Sequence, residues 1–171
     1  MKEVFRHQKW NLISIIFFIA LLQLLVFYSD TMILGNLWGV ETIVWFWVAV
    51  SIPIIHQTYV WLVWRLELYK STFTSRFGLK RAFNVYSIGF TILFFGRVAA
   101  VFILAISSRN TFPIYPFAAY LLVAVITPLI TYLAYSVIKY FTLARAFGID
   151  HFDKKYKVPY VKQGIFRFTN N

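Results

Sequence analysis

Four long runs of apolar residues, separated by short polar segments, account for most of the chain. The runs extend from about Trp10 to Tyr28, about Thr42 to Trp64, about Phe83 to Ile106 and about Phe117 to Phe141. A helix needs about 20 apolar residues to cross the hydrocarbon core of a bilayer. The pattern therefore predicts four transmembrane helices, the first of which is too long for the apolar part of a signal peptide.

The basic residues are distributed unevenly among the segments that flank these runs. Of the 17 Lys and Arg residues, three precede the first run, five lie between the second and third, and seven end or follow the fourth. A chain that crosses four times therefore has 15 of the 17 on one side. Because cytoplasmic loops carry the excess of Lys and Arg, we predict that both termini are cytoplasmic.

The composition is typical of a membrane protein and excludes several other classes. Apolar residues make up 60% of the chain and charged residues 13%, whereas about 25% charged is usual in soluble domains. The net charge of +11 follows the topology, so we expect membrane lipid with anionic headgroups rather than nucleic acid as a partner. The chain has no cysteine, and its three histidines are too scattered for a metal site.

These features predict an all-α fold, namely an integral membrane bundle of four transmembrane helices with both termini cytoplasmic. Residues 1–141 form the transmembrane domain in this prediction, and residues 142–171 form a cytoplasmic juxtamembrane segment. Small residues that allow close helix packing recur along the third run. They are Gly89, Gly96, Ala99 and Ala100.

Arg97 lies well inside the third run, and none of the four runs contains Asp or Glu. An ionisable group at this depth is costly and usually faces the protein interior or a cavity. One interpretation is an anion site for a lipid phosphate or a substrate carboxylate. The other is a side chain that extends toward the outer membrane surface, with Asp30 or Glu41 as its partner.

His56 lies in the second run, close after Pro53. Proline removes a backbone hydrogen bond and kinks a helix, and nearby polar groups often satisfy the freed carbonyl. His56 is therefore interpreted either as a packing residue or as a proton carrier or lining residue of a substrate cavity. Together, His56 and Arg97 are the predicted residues for a substrate or lipid.

A compact polar cluster follows the fourth run in the stretch "GIDHFD", where Asp150 and Asp153 flank His151. Two carboxylates beside a histidine are able to bind a metal or relay a proton. The alternative is a turn at the membrane surface, since Gly148 is placed to end a helix after "FTLARAF".

The stretch "YVKQGIFRFTNN" near the end of the chain resembles a segment of the integral membrane methyltransferase family. That family includes isoprenylcysteine carboxyl methyltransferases and phospholipid N-methyltransferases, and the segment opens its catalytic half. Its members carry the form (L/V)-x-x-G-(I/P)-(Y/F)-(R/K)-x-x-(R/T)-(H/N)-P-M-Y after a span and a cytoplasmic connector. The positions that fall on this form are Val161, Gly164, Ile165, Phe166, Arg167 and either Asn170 or Asn171.

The resemblance implies S-adenosylmethionine as the cofactor and a lipid or other hydrophobic molecule as the methyl acceptor. By the same resemblance, the cofactor-binding residues are Lys162, Gly164, Ile165, Arg167 and Asn170. No catalytic residue is assigned.

The chain also departs from the family pattern. Members of the family continue into Pro-Met-Tyr, a closing helical hairpin and a pair of acidic residues, which together form most of the cofactor site. This chain ends at Asn171. The resemblance therefore implies an N-terminal portion, and we expect these 171 residues alone to be inactive and not to bind S-adenosylmethionine.

Two alternatives remain open from the residues themselves. The segment is also typical of a basic, aromatic juxtamembrane stretch that lies on anionic headgroups. The chain as a whole fits a non-enzymatic four-helix membrane protein, either an assembly partner or a small transporter subunit. Pro53 and Pro128 lie in the second and fourth runs, which is only a faint form of the broken-helix symmetry of transporters.

Overall fold

The computed structural model describes residues 2–6, 8–28, 33–109, 111, 115–156 and 159–168. Its helices are α1 (Lys2–Phe5), α2 (Lys9–Tyr28), α3 (Thr42–Lys70), α4 (Thr74–Phe77), α5 (Leu79–Ser107), α6 (Pro116–Ser136), α7 (Leu143–Ala146) and α8 (Ile149–Phe152). A π-helical turn (Val137–Phe141) continues α6, and 3-10 turns cover Lys154–Tyr156 and Gly164–Phe168. Two short strands, β1 (Asn36–Leu37) and β2 (Val40–Glu41), pair in an antiparallel hairpin. The predicted all-α class is confirmed.

Four helices in the described part of the chain are long and apolar enough to cross a membrane. They are α2, α3, α5 and α6 with its π-helical turn, at 20, 29, 29 and 26 residues. Each contains one of the four predicted runs, as expected of a multi-pass membrane protein. Two of them are longer than the runs, because α3 continues to Lys70 and α5 begins at Leu79. As a result Glu67 lies within α3, where it is buried, rather than in a connecting loop.

The contacts divide the chain into two compact units. The first unit comprises Met1–Lys70 and Val85–Pro113, and the second comprises Ser71–Asn84 and Ile114–Asn171. The first unit therefore holds α1 to α3 with most of α5. The second holds α4, the beginning of α5, and everything from α6 onward.

In the first unit, α3 and α5 pack through the small residues of α5. The Tyr59 hydroxyl donates a hydrogen bond to the carbonyl oxygen of Tyr86 at 3.1 Å, and the two rings stack. A Cβ at Gly89 would lie 2.5 Å from the Tyr59 oxygen, whereas one at Gly96 would be 4.0 Å from its nearest neighbour. Ala100 is buried too. The predicted close packing is present at Gly89, whereas Gly96 leaves room for a methyl group and Ala99 is exposed.

A second contact joins these helices where α3 begins and α5 ends. The Thr42 hydroxyl is fully buried and donates a hydrogen bond to the carbonyl oxygen of Ser107 at 3.0 Å. Gly35 precedes the hairpin with a φ of +119°, and a Cβ there would lie 2.2 Å from the same carbonyl oxygen. Only glycine fits this position, because both the backbone angle and the space exclude a side chain.

The N-terminal helix α1 packs on the last turns of α3. Val4 is only 1% exposed, and the ring of Phe5 contacts that of Trp61 edge-on at 5.6 Å. Arg65 donates from Nε to the carbonyl oxygen of Val4 at 3.0 Å and from Nη2 to that of Arg6. The carbonyl groups at the end of a helix have no partner within it, so Arg65 caps α1.

Candidate functional site

In the first unit, His56 lies at the contact between α3 and α5. Its side chain is 6% exposed, and its Nε2 atom has no hydrogen-bond partner among the described residues. The edge of the imidazole packs on the ring of Phe90, with 4.7 Å between the ring centroids. A buried polar atom without a partner costs about 1–3 kcal/mol, so the site leaves His56 incompletely satisfied.

Arg97 lies on the same face of α5 as Phe90 and Phe94. Its guanidinium carbon is 5.2 Å from the centre of the Phe94 ring, and the rings of Phe94 and Phe90 stack at 6.3 Å. His56 and Arg97 therefore contact opposite ends of one two-ring strip.

The contact with Phe94 shows the direction in which the Arg97 side chain extends along α5. Phe94 is one turn nearer the start of α5, so the Arg97 side chain extends away from the Ser107 end of that helix. Glu41 immediately precedes Thr42, which bonds to Ser107, so this carboxylate lies at the opposite end. The expected partnership with Glu41 is therefore wrong, and the other suggested partner, Asp30, lies outside the described residues.

The visible contacts of Arg97 do not offset the free-energy cost of placing its charge in a membrane helix. An arginine near the middle of a membrane helix costs about 2.5–3.5 kcal/mol. A cation–π contact contributes about 0.5–2 kcal/mol. No carboxylate in the described part of the chain forms an ion pair with this guanidinium. A further group of negative charge would complete the site.

In the second unit, the Gly164–Phe168 turn packs against the end of α6. The amide nitrogen of Ile165 donates a hydrogen bond to the Ser136 hydroxyl oxygen at 3.1 Å. That hydroxyl itself donates to the carbonyl oxygen of Tyr132 at 2.7 Å and is part of a fully buried residue. We call this contact between the turn and α6 the Ser136 joint.

Gly164 is required at the Ser136 joint for two reasons. Its φ is +60°, and a Cβ would lie 2.6 Å from the Ser136 hydroxyl oxygen and 2.8 Å from the Tyr140 ring. The glycine thus allows a close approach of another element to its backbone. The group that approaches in this structure is α6 rather than a ligand.

The predicted cofactor-binding residues take up different positions. Gly164 and Ile165 belong to the Ser136 joint, whereas Lys162 and Arg167 are exposed. The guanidinium of Arg167 lies 4.5 Å from the centre of the Phe168 ring. Asn170 lies outside the described residues. The Ile165 amide of this turn is bonded to Ser136 and is therefore not open to a ligand in this structure.

Aromatic and cationic contacts reinforce the Ser136 joint. The rings of Phe141 and Phe166 stack at 5.3 Å. The guanidinium of Arg145 lies 4.7 Å from the centre of the Phe141 ring and donates to the carbonyl oxygen of Pro159 at 3.3 Å. Sequence patterns do not single out Ser136, Phe141 or Arg145, because their partners lie 14 to 29 residues further along the chain.

The backbone is strained immediately after the fourth apolar helix. Thr142 has a φ of 70° and a ψ of 146°, and its amide closes the π-helical turn on the carbonyl oxygen of Val137 at 2.9 Å. A β-branched residue rarely adopts positive φ. Strained residues and π-helical turns both concentrate at functional sites. The strain lies next to the Ser136 joint in the chain.

The polar cluster after α7 forms a helix end and a tight turn. Gly148 has a φ of 77° and a ψ of 37°, as predicted for a helix C-terminus, and its amide bonds to the carbonyl oxygen of Arg145 at 2.8 Å. Asp153 accepts a hydrogen bond from the Lys155 amide at 2.9 Å. No group of three or more potential metal ligands was found among the described residues.

An open apolar groove of about 470 Å³ lies along α3. It is lined by Val44, Trp47, Val48, Ser51 and Ile52. Its walls are almost entirely apolar side chains of a single helix, so it is suited to contact with acyl chains rather than to polar chemistry.

Fold and site together define an all-α chain with four helices able to cross a membrane, an intramembrane histidine–arginine pair and a folded basic segment. No protein-family model, curated protein or solved structure matches this chain.

Proposed function

We propose that this chain is the membrane part of an S-adenosylmethionine-dependent methyltransferase that acts on a lipid or other hydrophobic acceptor, with both termini in the cytoplasm. The observation that carries the proposal is the Ser136 joint. The segment with the methyltransferase-like form is folded back on the end of the fourth apolar helix instead of extending from it.

Two further features support this function. The π-helical turn and Thr142 put backbone strain next to the Ser136 joint, as is common beside functional sites. The acceptor of such a reaction enters from the bilayer, whereas the cofactor comes from the cytoplasm. A site at the cytoplasmic end of a span is accessible to both.

S-adenosylmethionine supplies a methyl group bonded to a positively charged sulfur. Transfer of this group is an in-line displacement, so an enzyme contributes mainly by positioning the donor and the acceptor. We assign the described residues of the turn no chemical step, because the Ile165 amide is already bonded to Ser136. Their proposed role is to hold the segment with the methyltransferase-like form at the end of α6.

The orientation is tested first, and the absence of native cysteine makes the test direct. Single cysteines replace Ser75, between α3 and α5, and Glu41, at the opposite end of α3; both positions are exposed. In sealed right-side-out vesicles, an impermeant maleimide is expected to label Glu41→Cys alone. In inverted vesicles it is expected to label Ser75→Cys alone. The reverse pattern would overturn the proposed topology.

The activity is tested on the protein encoded by the reading frame that contains these residues. A reading frame that continues into Pro-Met-Tyr and an apolar hairpin supports the proposal, and a stop codon there contradicts it. The purified protein is incubated with methyl-labelled S-adenosylmethionine and total membrane lipid, and label in the organic phase is measured. Gly164→Ala is expected to reduce transfer, whereas Gly78→Ala, at an open position with a similar φ of +74°, leaves it intact.

Absence of transfer by this protein would sink the methyltransferase proposal, and the non-enzymatic membrane protein would then take its place.

A further inference from the structure

We propose that His56 and Arg97 bind an anionic oxygen group, a carboxylate or a phosphate, carried by an amphiphile that enters from the bilayer. The inference concerns the first unit and is independent of the proposed methyl transfer. It assigns to these two residues one ligand chemistry and one direction of access.

The guanidinium of Arg97 has no anionic partner among the described residues. Among the described residues its visible contact is the face of the Phe94 ring, at 5.2 Å. In membrane helices such groups pair with one another, bind backbone carbonyls or mark a ligand path. Its five N–H donors match a carboxylate or a phosphate in particular.

His56, on the neighbouring helix, provides a buried hydrogen-bonding atom beside the same pair of phenylalanine rings. His56 is 94% buried, and its Nε2 atom is unpartnered in the described part of the chain. When this nitrogen carries the proton, it donates a hydrogen bond to an anionic oxygen. A buried imidazole that packs on Phe90 and leaves one nitrogen unbonded is explained by a ligand that supplies the missing partner.

Both groups share one support. His56 contacts Phe90, Arg97 contacts Phe94, and the two phenylalanine rings stack with an angle of 7° between their planes. We place the oxygen-rich group of the ligand between the two side chains, with its hydrocarbon portion along the rings. Phe94 is 37% exposed, so the strip is open at the surface that faces lipid when α5 spans a membrane.

The depth of the pair specifies how the ligand arrives. His56 is the middle residue of α3 (Thr42–Lys70). Arg97 lies about 15 Å along α5 from Ser107, at a rise of about 1.5 Å per residue. A group at this depth is far from both ends of the helices. A fatty acid or an anionic phospholipid reaches it from the side, whereas free phosphate must leave water.

Native mass spectrometry of the purified 171-residue chain in a mild detergent tests the proposal. The probes are oleate, dioleoyl phosphatidylglycerol, dioleoyl phosphatidylcholine and inorganic phosphate. We expect one oleate or phosphatidylglycerol molecule to bind at least about tenfold more tightly than phosphatidylcholine, a difference equivalent to one decade in Kd. Phosphate alone is expected not to bind.

Variants separate this site from general attraction to a basic protein. Arg97→Gln is expected to remove the preference for oleate and phosphatidylglycerol, and His56→Phe to weaken it several-fold. Arg109→Gln, at an exposed arginine just after α5, is the matched control and is expected to keep the preference. Equal loss in the Arg109 variant would assign the binding to net charge and overturn the proposal.

Thermal unfolding keeps the test valid if one variant is poorly folded. In lipid-free detergent, Arg97→Gln is expected to unfold at a higher temperature than the wild type, because an unbalanced charge has been removed. Oleate is expected to raise the unfolding temperature of the wild type but not of this variant. A lower unfolding temperature for Arg97→Gln without lipid would indicate a structural role and contradict the site. Binding of phosphate that depends on both residues would retain the anion site but overturn access from the bilayer.

Discussion

Ile165 and Ser136 are joined by a hydrogen bond of 3.1 Å although they lie 29 residues apart in the chain. The bond turns a serine in the last turn of α6 into the anchor of the basic segment that follows the fourth apolar helix. The same serine hydroxyl donates to the Tyr132 carbonyl at 2.7 Å, so its hydrogen atom and one lone pair are both used. The orientation of the segment is therefore specified by the helix itself.

Substitution of Ser136 by alanine is expected to loosen this segment. The Ile165 amide loses its acceptor, which costs about 1 kcal/mol. Hydrogen exchange measured by mass spectrometry should show faster exchange in the peptide that contains Ile165. Thr131→Ala is the matched control, because the Thr131 hydroxyl bonds only to a carbonyl in its own helix, at 2.8 Å. Equal exchange in both variants would argue against the bond.

Gly164→Ala is expected to displace the same segment by a different cause. The added methyl group would lie 2.6 Å from the Ser136 oxygen, and the φ of +60° is itself unfavourable for alanine. Trypsin should then cut after Lys162 and Arg167 several-fold faster than in the wild type. Gly78→Ala has comparable backbone strain at a φ of +74° but no neighbour within 4 Å. In this variant, cleavage after Lys162 and Arg167 should stay as in the wild type. Faster cleavage in both variants would indicate strain alone.

Thr142→Gly is expected to stabilise the protein. The φ of 70° at this position is strained for threonine and readily adopted by glycine. Relief of that strain should raise the free energy of unfolding by about 1 kcal/mol. Ala144→Gly, two residues later in α7, should instead lower it by about 0.5–1 kcal/mol, since helical alanine is favoured over glycine. Thermal unfolding in detergent measures both, and a loss of stability in Thr142→Gly would contradict the strain.

Gly89→Ala is expected to weaken the packing of α3 on α5. A methyl group there would lie 2.5 Å from the Tyr59 oxygen and 2.9 Å from the ring carbon that bears it. Overpacking of this kind costs about 1–3 kcal/mol. Gly96→Ala serves as the control, because the nearest atom is 4.0 Å away and the new methyl group fits. A drop in unfolding temperature of equal size in both variants would show that helix propensity, rather than crowding, is responsible.

The positions of the apolar helices along the chain are largely predictable from the sequence, whereas their lengths are not. Each run of apolar residues appears as a helix, because a span of about 20 apolar residues has few other structures available in a bilayer. The last turns of α3 were missed because Arg65, Glu67 and Lys70 interrupt the apolar pattern. Glu67 is buried there by tertiary packing, which hydropathy does not report.

At the candidate sites, too, some features are predictable from the sequence and others are not. Gly164 permits a close approach to its backbone, but the sequence does not identify the approaching group, which is α6. An arginine in an apolar run signals a charge to be balanced, but not the direction of the side chain. Arg97 contacts Phe94, toward the start of α5, because the ring face is available there.

Arg65 holds α1 by the main chain, through the carbonyl oxygens of Val4 and Arg6. Every amino acid presents the same carbonyl group, so this arginine does not read the side chains of the residues that it holds. The N-terminal sequence is therefore free to diverge among related proteins as long as its small apolar contact at Val4 persists. Among related proteins, we therefore expect the arginine near the end of the second apolar run to be retained more often than the residues before the first run.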